Sequence, residues 1–427
     1  MKHFLLACLC VAGSLQAQTM ADCKARFTSY LNFHGSLNQR VLFEDKAIFV
    51  LNSAGQKDIA IYENEIPVLS VFFRKSTLSE QRFLMQQKGL NAFTSAQLDS
   101  LRRLYPASGG EAIKKEFALS GIKIAIDPGH FGTTLKEAKA EQKYLYFPNT
   151  ATPQAGDSIL LFESELTYNT ARLLRSMLEE KDATVMMTRD EPNHTSFQCT
   201  FAQWMKTRKK KVLDSLLANG SMTAAKHKSL MKAPEHTFFW DFFRDYELGN
   251  RAKKINAFKP DITVIIHYNV DEKNAPWKKA GTKNFTMAFI GGGFTAGDLN
   301  GDDNQMHFLR LLLGDQLNRS EQLSSLLVAN FHQRLSIPIA GKEDATYLKD
   351  KCLSTPSAGV YCRNLALCRK VNSVLVYGES LYQDNEKECV ELMKKDKTLY
   401  GIKTGARVES VARSYFEAIM AFLASSF

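Results

Sequence analysis

The chain has 427 residues, of which 44% are apolar and 23% charged, and it carries a formal net charge of +10. That composition belongs to a folded globular protein of two or three domains, large enough to bury a sizeable core. The positive balance suits anionic surroundings, but no zinc-finger, RNA-recognition or basic-zipper pattern accompanies it, so nucleic acid is not an expected partner.

Met1 to Ala17 reads as a secretory signal: a short basic start at Lys2 and His3, an apolar stretch from Phe4 to Gly13, and Leu15-Gln-Ala17 as a cleavage site. Leu5-Leu-Ala-Cys8 resembles a lipobox but lies too near the terminus to leave an apolar region before it. A periplasmic or secreted protein is expected, with no later apolar run long enough to span a bilayer. Removing 1–17 leaves six cysteines, four of them between Cys352 and Cys389. In an exported protein this predicts one or two disulfides there.

Residues 18–115 are expected to form a small α+β domain. Val41 to Leu51, Asp58 to Tyr62 and Val68 to Phe73 read as strands, and Ser79 to Lys88 and Ser95 to Leu104 as helices opened by a capping Ser. Tyr105-Pro-Ala-Ser-Gly-Gly110 reads as a linker.

A second domain is expected over 120–427. Gly121 to Ile126 alternates Ile with Lys or Ala, the period of a strand, and Asp127-Pro-Gly-His130 then stops it. His130 is left at the carboxyl end of a buried strand, where open α/β sheets place ligands and catalysts. A His there serves as metal ligand, acid/base or structural residue. Phe131 to Phe162 is expected to be a loop at the mouth of the site. Glu163 opens an amphipathic helix with Leu166, Thr170, Leu173, Leu174 and Leu178 on one stripe. Phe201 to Lys232 is basic and predicted helical, with Lys206-Thr-Arg-Lys-Lys-Lys211 as a solvated face, and the aromatic run Phe238 to Phe243 as core.

Ile262 to Asn269 is a second buried strand carrying His267 near its end. Two imidazoles and a carboxylate from separate elements can converge as three protein ligands, with a fourth position open to water. Gly291-Gly-Gly293 is expected to be flexible loop, and Asp298 to Asn304 lacks the Gly and Glu of a calcium loop. Gln305 to Leu313, Ser320 to Leu335, Val390 to Lys394 and Val408 to Leu423 read as helices. Between them Val374 to Glu379 is a third apolar strand ending in a carboxylate, a candidate general base. The alternation predicts an α/β fold, a twisted mostly parallel sheet with helices on both faces. Inserts are expected near 131–162, 191–246 and 291–316.

These residues resemble the zinc-dependent N-acetylmuramoyl-L-alanine amidases that cut bacterial peptidoglycan. Six blocks occur in that family's order: Asp127-Pro-Gly-His130; Glu163, Leu166 and Thr167; Thr188-Arg189; Leu248, Arg251 and Asn256; Ile266-His267; and Glu379 followed by Asn385. The resemblance implies that His130, Glu163 and His267 bind Zn2+ and that Glu379 is the catalytic glutamate. It also implies peptidoglycan as the partner and an activator protein acting on an insert helix. Four departures stand out: Phe131 replaces a Gly after the His, the connection from His130 to Glu163 is long, Ile265 replaces a Ser, and Leu381 and Tyr382 stand near a usual Phe. The alternatives are a zinc peptidase acting on stem peptides and a catalytically inactive wall-binding relative; no His-Glu-x-x-His segment favours a common metalloprotease.

Overall fold

The computed structural model describes residues 18–107, 119–148, 158–275 and 278–425. The expected signal segment 1–17, the end of the expected linker at 108–110 and the stretch 150–156 of the expected loop lie outside them.

Near the amino terminus, β1 (Val41–Glu44), β2 (Ala47–Leu51) and β3 (Lys57–Tyr62) form an antiparallel sheet. The single strand predicted over 41–51 is therefore a hairpin, with Glu44 paired to Ala47 across its turn. The strand predicted over 68–73 is a helix, Ile66–Lys75. Its aromatic and β-branched composition suggests a strand, but Ile66, Leu69, Phe72 and Phe73 recur at helical spacing and are buried, and Pro67 sits in the first turn, where its missing amide costs nothing. The next two helices, Leu78–Lys88 and Ser95–Leu104, are capped by Thr77 and Thr94 rather than by serines.

The main sheet has seven strands. In chain order they are β4 (Lys123–Pro128), then, after a separate antiparallel ribbon of β5 (Tyr144–Pro148) and β6 (Ser158–Phe162), β7 (Thr184–Met187), β8 (Ile262–Asn269), β9 (Met287–Ile290), β10 (Leu353–Ser354), β11 (Val360–Cys362) and β12 (Val374–Tyr382). Their spatial order is β10-β11-β9-β12-β8-β4-β7, with four of six pairings parallel. The expected mostly parallel α/β sheet is thus present.

Strand alternation divides its core in two. Ile124, Ile126, Val264, Ile266, Val374 and Val376 face one apolar layer, with the helices Glu163–Glu179, Gln316–Leu335 and Ala406–Ser425. Ala125, Ile265 and Leu375 face the other, with Ala252 and Ile255 of the helix Arg244–Phe258. Residues of the amino-terminal region, among them Phe27, Tyr30 and Leu31, join the first layer.

The expected disulfides are not formed: all six cysteines among the described residues are free. Cys362 and Cys389 lie in one apolar layer and Cys352 and Cys368 in the other. Gly291 to Gly293 is no flexible loop either. It is buried, and Gly293 donates its amide to the Tyr30 carbonyl at 2.8 Å. A Cβ on Gly292 would lie 2.1 Å from that same oxygen, so only glycine fits.

The segment after His130 departs most from expectation. In place of a loop it forms a helix, Leu135–Glu141, capped by Thr134, and the β5–β6 ribbon, which buries Leu145, Phe147, Ile159 and Leu161 on one face. The basic segment folds as predicted into the helices Phe201–Thr207, Lys209–Ala218 and Ala224–Lys232, with Lys206, Arg208, Lys210 and Lys211 exposed. Phe201, Trp204, Phe238, Phe239 and Phe243 form a separate aromatic core beneath them. Phe131 enters this core, about 6 Å from the rings of Phe201, Phe239 and Phe243. The departure from Gly at 131 therefore anchors the helical insert beside His130.

Candidate metal centre

The strands β4, β8 and β12 are neighbours in the sheet, and their carboxyl ends deliver His130, His267 and Glu379 to one place. His130 follows the Pro128-Gly129 turn with a φ of 59°, a left-handed conformation rare outside glycine and held only where the surroundings impose it. The surroundings do. The buried Arg189 guanidinium donates to the carbonyls of Pro128 and Gly129 at 3.3 Å each and to that of Ser164 at 2.8 Å. Thr167 donates to the Gly129 carbonyl at 2.6 Å. Arg251 bridges the Asp127 carboxylate, at 3.2 Å, and that of Glu247, at 2.8 Å, and donates to Pro128 at 2.9 Å. Thr188 donates to Asp127 as well. The Thr-Arg and Leu-x-x-Arg blocks thus lock the turn that presents His130 to the helix that presents Glu163.

The three predicted ligands converge. His130, Glu163 and His267 each offer a donor atom, and these atoms all lie within 4.8 Å of one another. Glu163 Oε1 is 3.0 Å from His267 Nδ1 and 3.4 Å from His130 Nε2. Both distances are close to the edge, about 3.4 Å, of a tetrahedron with bonds of about 2.1 Å. The imidazoles stand perpendicular, with centroids 4.9 Å apart. His130 Nε2 is buried and makes no hydrogen bond, because Nδ1 is the atom engaged, at 2.9 Å from Glu141 Oε2. That carboxylate–imidazole pairing is the arrangement that orients metal-binding histidines. His267 is gripped on two sides: Tyr377 stacks on it at 4.5 Å and 4°, and a Cβ on Gly129 would approach its ring to 2.3 Å. The donor set of two nitrogens and one carboxylate oxygen, with an orphaned nitrogen aimed inward, fits a divalent metal ion with an open position.

The two histidines differ electrostatically: burial opposes a charged His130, but Glu163 and Glu141 raise its pKa above the ordinary value. Burial pushes the His267 pKa down to about 4, so it is neutral and able to coordinate. Burial alone would raise Glu163, but His130 and Lys143 outweigh it and hold its carboxyl well below the usual range. Burial likewise raises Glu141, and here His130 and the amides of Phe131 and Gly132, 3.0 and 2.9 Å from Oε1, turn the balance downward.

Glu379 lies directly beside His267 in the β12–β8 register. Its Oε2 is buried with no hydrogen-bond partner, and burial, with Glu163 nearby, pushes its pKa up to about 8. Tyr377, two residues earlier on the same face, is occupied in stacking on His267. Asn385 is structural: it donates to the Thr282 carbonyl at 3.0 Å and accepts from the Lys387 amide. Glu165 lies outside the site, paired with Lys395 at 2.6 Å.

Three residues at the site were not anticipated. Glu141 and Lys143 come from the segment expected to be a loop, and Gln383 follows the last residue of β12. Lys143 Nζ lies 3.5 Å from Glu163 Oε2, and Gln383 Nε2 lies 3.3 Å from the same oxygen. A capped helix, Thr134 followed by Glu137, ending in Glu141 eleven residues beyond His130 was the available signal for the first.

The family described as N-acetylmuramoyl-L-alanine amidase matches residues 124–405. The chain belongs to this amidase family. Solved structures with similarity to it include the CwlD amidase from Clostridioides difficile in complex with the GerS lipoprotein, at 15% identity and a TM-score of 0.36, covering 71% of this chain and 99% of that one. The amidase Ami1 from Mycobacterium smegmatis is 14% identical with a TM-score of 0.39, covering 72% and 99%. The catalytic domain of CwlV from Bacillus (Paenibacillus) polymyxa is 13% identical with a TM-score of 0.35, covering 71% and 98%. No curated protein sequence matches the chain. Among the described residues of this amidase, no helix is long and apolar enough to cross a membrane.

Proposed function

We propose that this member of the amidase family is an exported, zinc-dependent hydrolase of the amide between the lactyl group of N-acetylmuramic acid and L-alanine, acting in wall remodelling or daughter-cell separation. His130, Glu163 and His267 would hold the zinc, and Glu379 would be the catalytic glutamate. The observation that carries the reading is the convergence of the three donors beside a buried carboxylate with no partner of its own. An amide is a poor electrophile and water a poor nucleophile; zinc supplies the answer to both, polarising a carbonyl and lowering the pKa of water to about 7. Glu379 accepts the proton that water gives up and returns it to the departing amine of L-alanine. Its burial raises its proton affinity into the range where a group both takes and gives a proton near neutrality. Glu141 holds the His130 ring so that Nε2 faces inward, and Tyr377 fixes the plane of His267. An activator protein would act on one of the helices of the insert, Phe201–Thr207, Lys209–Ala218 or Ala224–Lys232.

Digestion of purified sacculi with the zinc-supplemented protein, followed by mass spectrometry, tests the reading. Free intact stem peptides with an L-alanine amino terminus are expected. Shortened stems still attached to glycan would make the protein a peptidase instead, and binding to sacculi without release, even with zinc and any activating partner supplied, would make it an inactive wall-binding relative.

A further inference from the structure

The two oxygens of Glu163 have different surroundings. Oε1 faces both imidazoles and accepts the Tyr268 amide at 3.3 Å. Oε2 turns the other way, towards Lys143 Nζ at 3.5 Å and Gln383 Nε2 at 3.3 Å. Lys143 reaches this place because Gln142, with a φ of 57°, turns the chain sharply between the helix Leu135–Glu141 and β5. The Glu163 side chain is 1% exposed and that of Lys143 35%, so the cation caps a buried carboxylate at the site's open side. A carboxylate with both oxygens free can bind a metal through both and fill the position that water needs.

We propose that Lys143, assisted by Gln383, is a positioning residue that retains Glu163 Oε2, so that Glu163 offers the metal one oxygen and one coordination position stays open. The inference rests on the metal-amidase reading. It makes the stretch from the helix Leu135–Glu141 to Lys143 part of the working site: this stretch sets one ligand through Glu141 and another through Lys143. It also carries an opposite sign for binding and turnover. An ammonium beside the metal site opposes a second cation. Removing it should therefore tighten metal binding while slowing the reaction, whereas a purely structural defect would weaken both.

The test compares wild type with Lys143→Met, Lys143→Arg and Gln383→Leu, each checked for unchanged thermal unfolding. Metal affinity is measured by chelator competition, coordination by the visible absorption of the cobalt(II)-loaded protein, and turnover on sacculi. For Lys143→Met we expect the zinc Kd to fall by about tenfold and kcat to fall by about 10- to 100-fold with little change in KM. Its cobalt band should weaken as coordination expands beyond four. Gln383→Leu should shift the cobalt spectrum the same way, and Lys143→Arg should restore the wild-type spectrum. An unchanged cobalt spectrum in Lys143→Met, or weaker zinc binding in it, overturns the proposal. Affinity and spectrum are read without substrate. A wild-type protein that binds cobalt but releases no stem peptide thus refutes the amidase reading alone, and one that binds no metal refutes both.

Discussion

Gly129→Ala tests the geometry of the centre without touching a ligand. Gly129 is not among the residues with positive φ, so its backbone tolerates alanine. The new methyl would lie 2.3 Å from His267 Cε1, 2.5 Å from Nε2 and 2.7 Å from Nδ1. Ordinary contact begins near 3.4 Å, so the ring must retreat by about 1 Å. It has nowhere to go, because Tyr377 lies flat against it at 4.5 Å. Metal–ligand distances tolerate about 0.2 Å, and disturbing even an outer-shell partner of a metal site typically costs 10- to 100-fold in affinity. Zinc affinity should therefore fall by about 100-fold or more, with activity lost in proportion. Chelator competition measures the first and stem-peptide release the second, with circular dichroism confirming the fold. Wild-type zinc affinity and turnover in a folded Gly129→Ala protein would refute the packing argument and the place given to His267.

Glu141→Ala removes the carboxylate that orients His130 and strands the Phe131 and Gly132 amides; zinc affinity should fall about 10- to 100-fold and stability by about 1–3 kcal/mol, read by competition titration and urea unfolding. His307 is a pH probe remote from the proposed chemistry: burial, with Arg310, Arg369 and Lys370 nearby, pushes its pKa down to about 3. The folded value lies below the unfolded one of about 6.5, so the unfolded chain binds the proton more readily. The associated stability is fully present above about pH 6.5 and is lost as pH falls towards 3. Between pH 6.5 and 5 that amounts to roughly 2 kcal/mol, so His307→Leu should flatten the pH dependence of urea unfolding by that amount, and an unchanged dependence would contradict it.

The elements bearing the candidate ligands were legible because each has a clean period. Ile124 and Ile126 alternate with Ala125 in β4, Ile262 to Asn269 is a buried strand within the limits read from sequence, and the Leu166 to Leu178 stripe is the buried face of the helix that Glu163 opens. What escaped was set by tertiary contact. Val68 to Phe73 has strand composition, yet its burial follows a helical period once Pro67 starts the turn. Glu141 and Lys143 lie in a segment whose function rests on where its ends meet His130 and Glu163, which no local pattern encodes. The four late cysteines are a plausible disulfide set by number, but all four are free, and cysteine number carries no information on which thiols meet. Phe131 looked like a defect in a motif; it is the contact that joins the aromatic helices to the turn bearing His130. Tyr377, two residues before Glu379 on the same strand face, is committed to stacking on His267, which leaves Glu379 as the acid/base group of that strand.

The central claim is that three side chains hold a zinc ion and a fourth, Glu379, moves the proton. The most direct measurement pairs zinc stoichiometry with stem-peptide release from sacculi for wild type and Glu379→Gln, a substitution that keeps the shape of the side chain and removes its ability to take up and release a proton. The account predicts one zinc per chain in both proteins, release of peptides with an L-alanine amino terminus by the wild type, and a loss of at least about 100-fold in Glu379→Gln. Turnover near wild type in Glu379→Gln, or absence of bound zinc from an active wild-type protein, would contradict it.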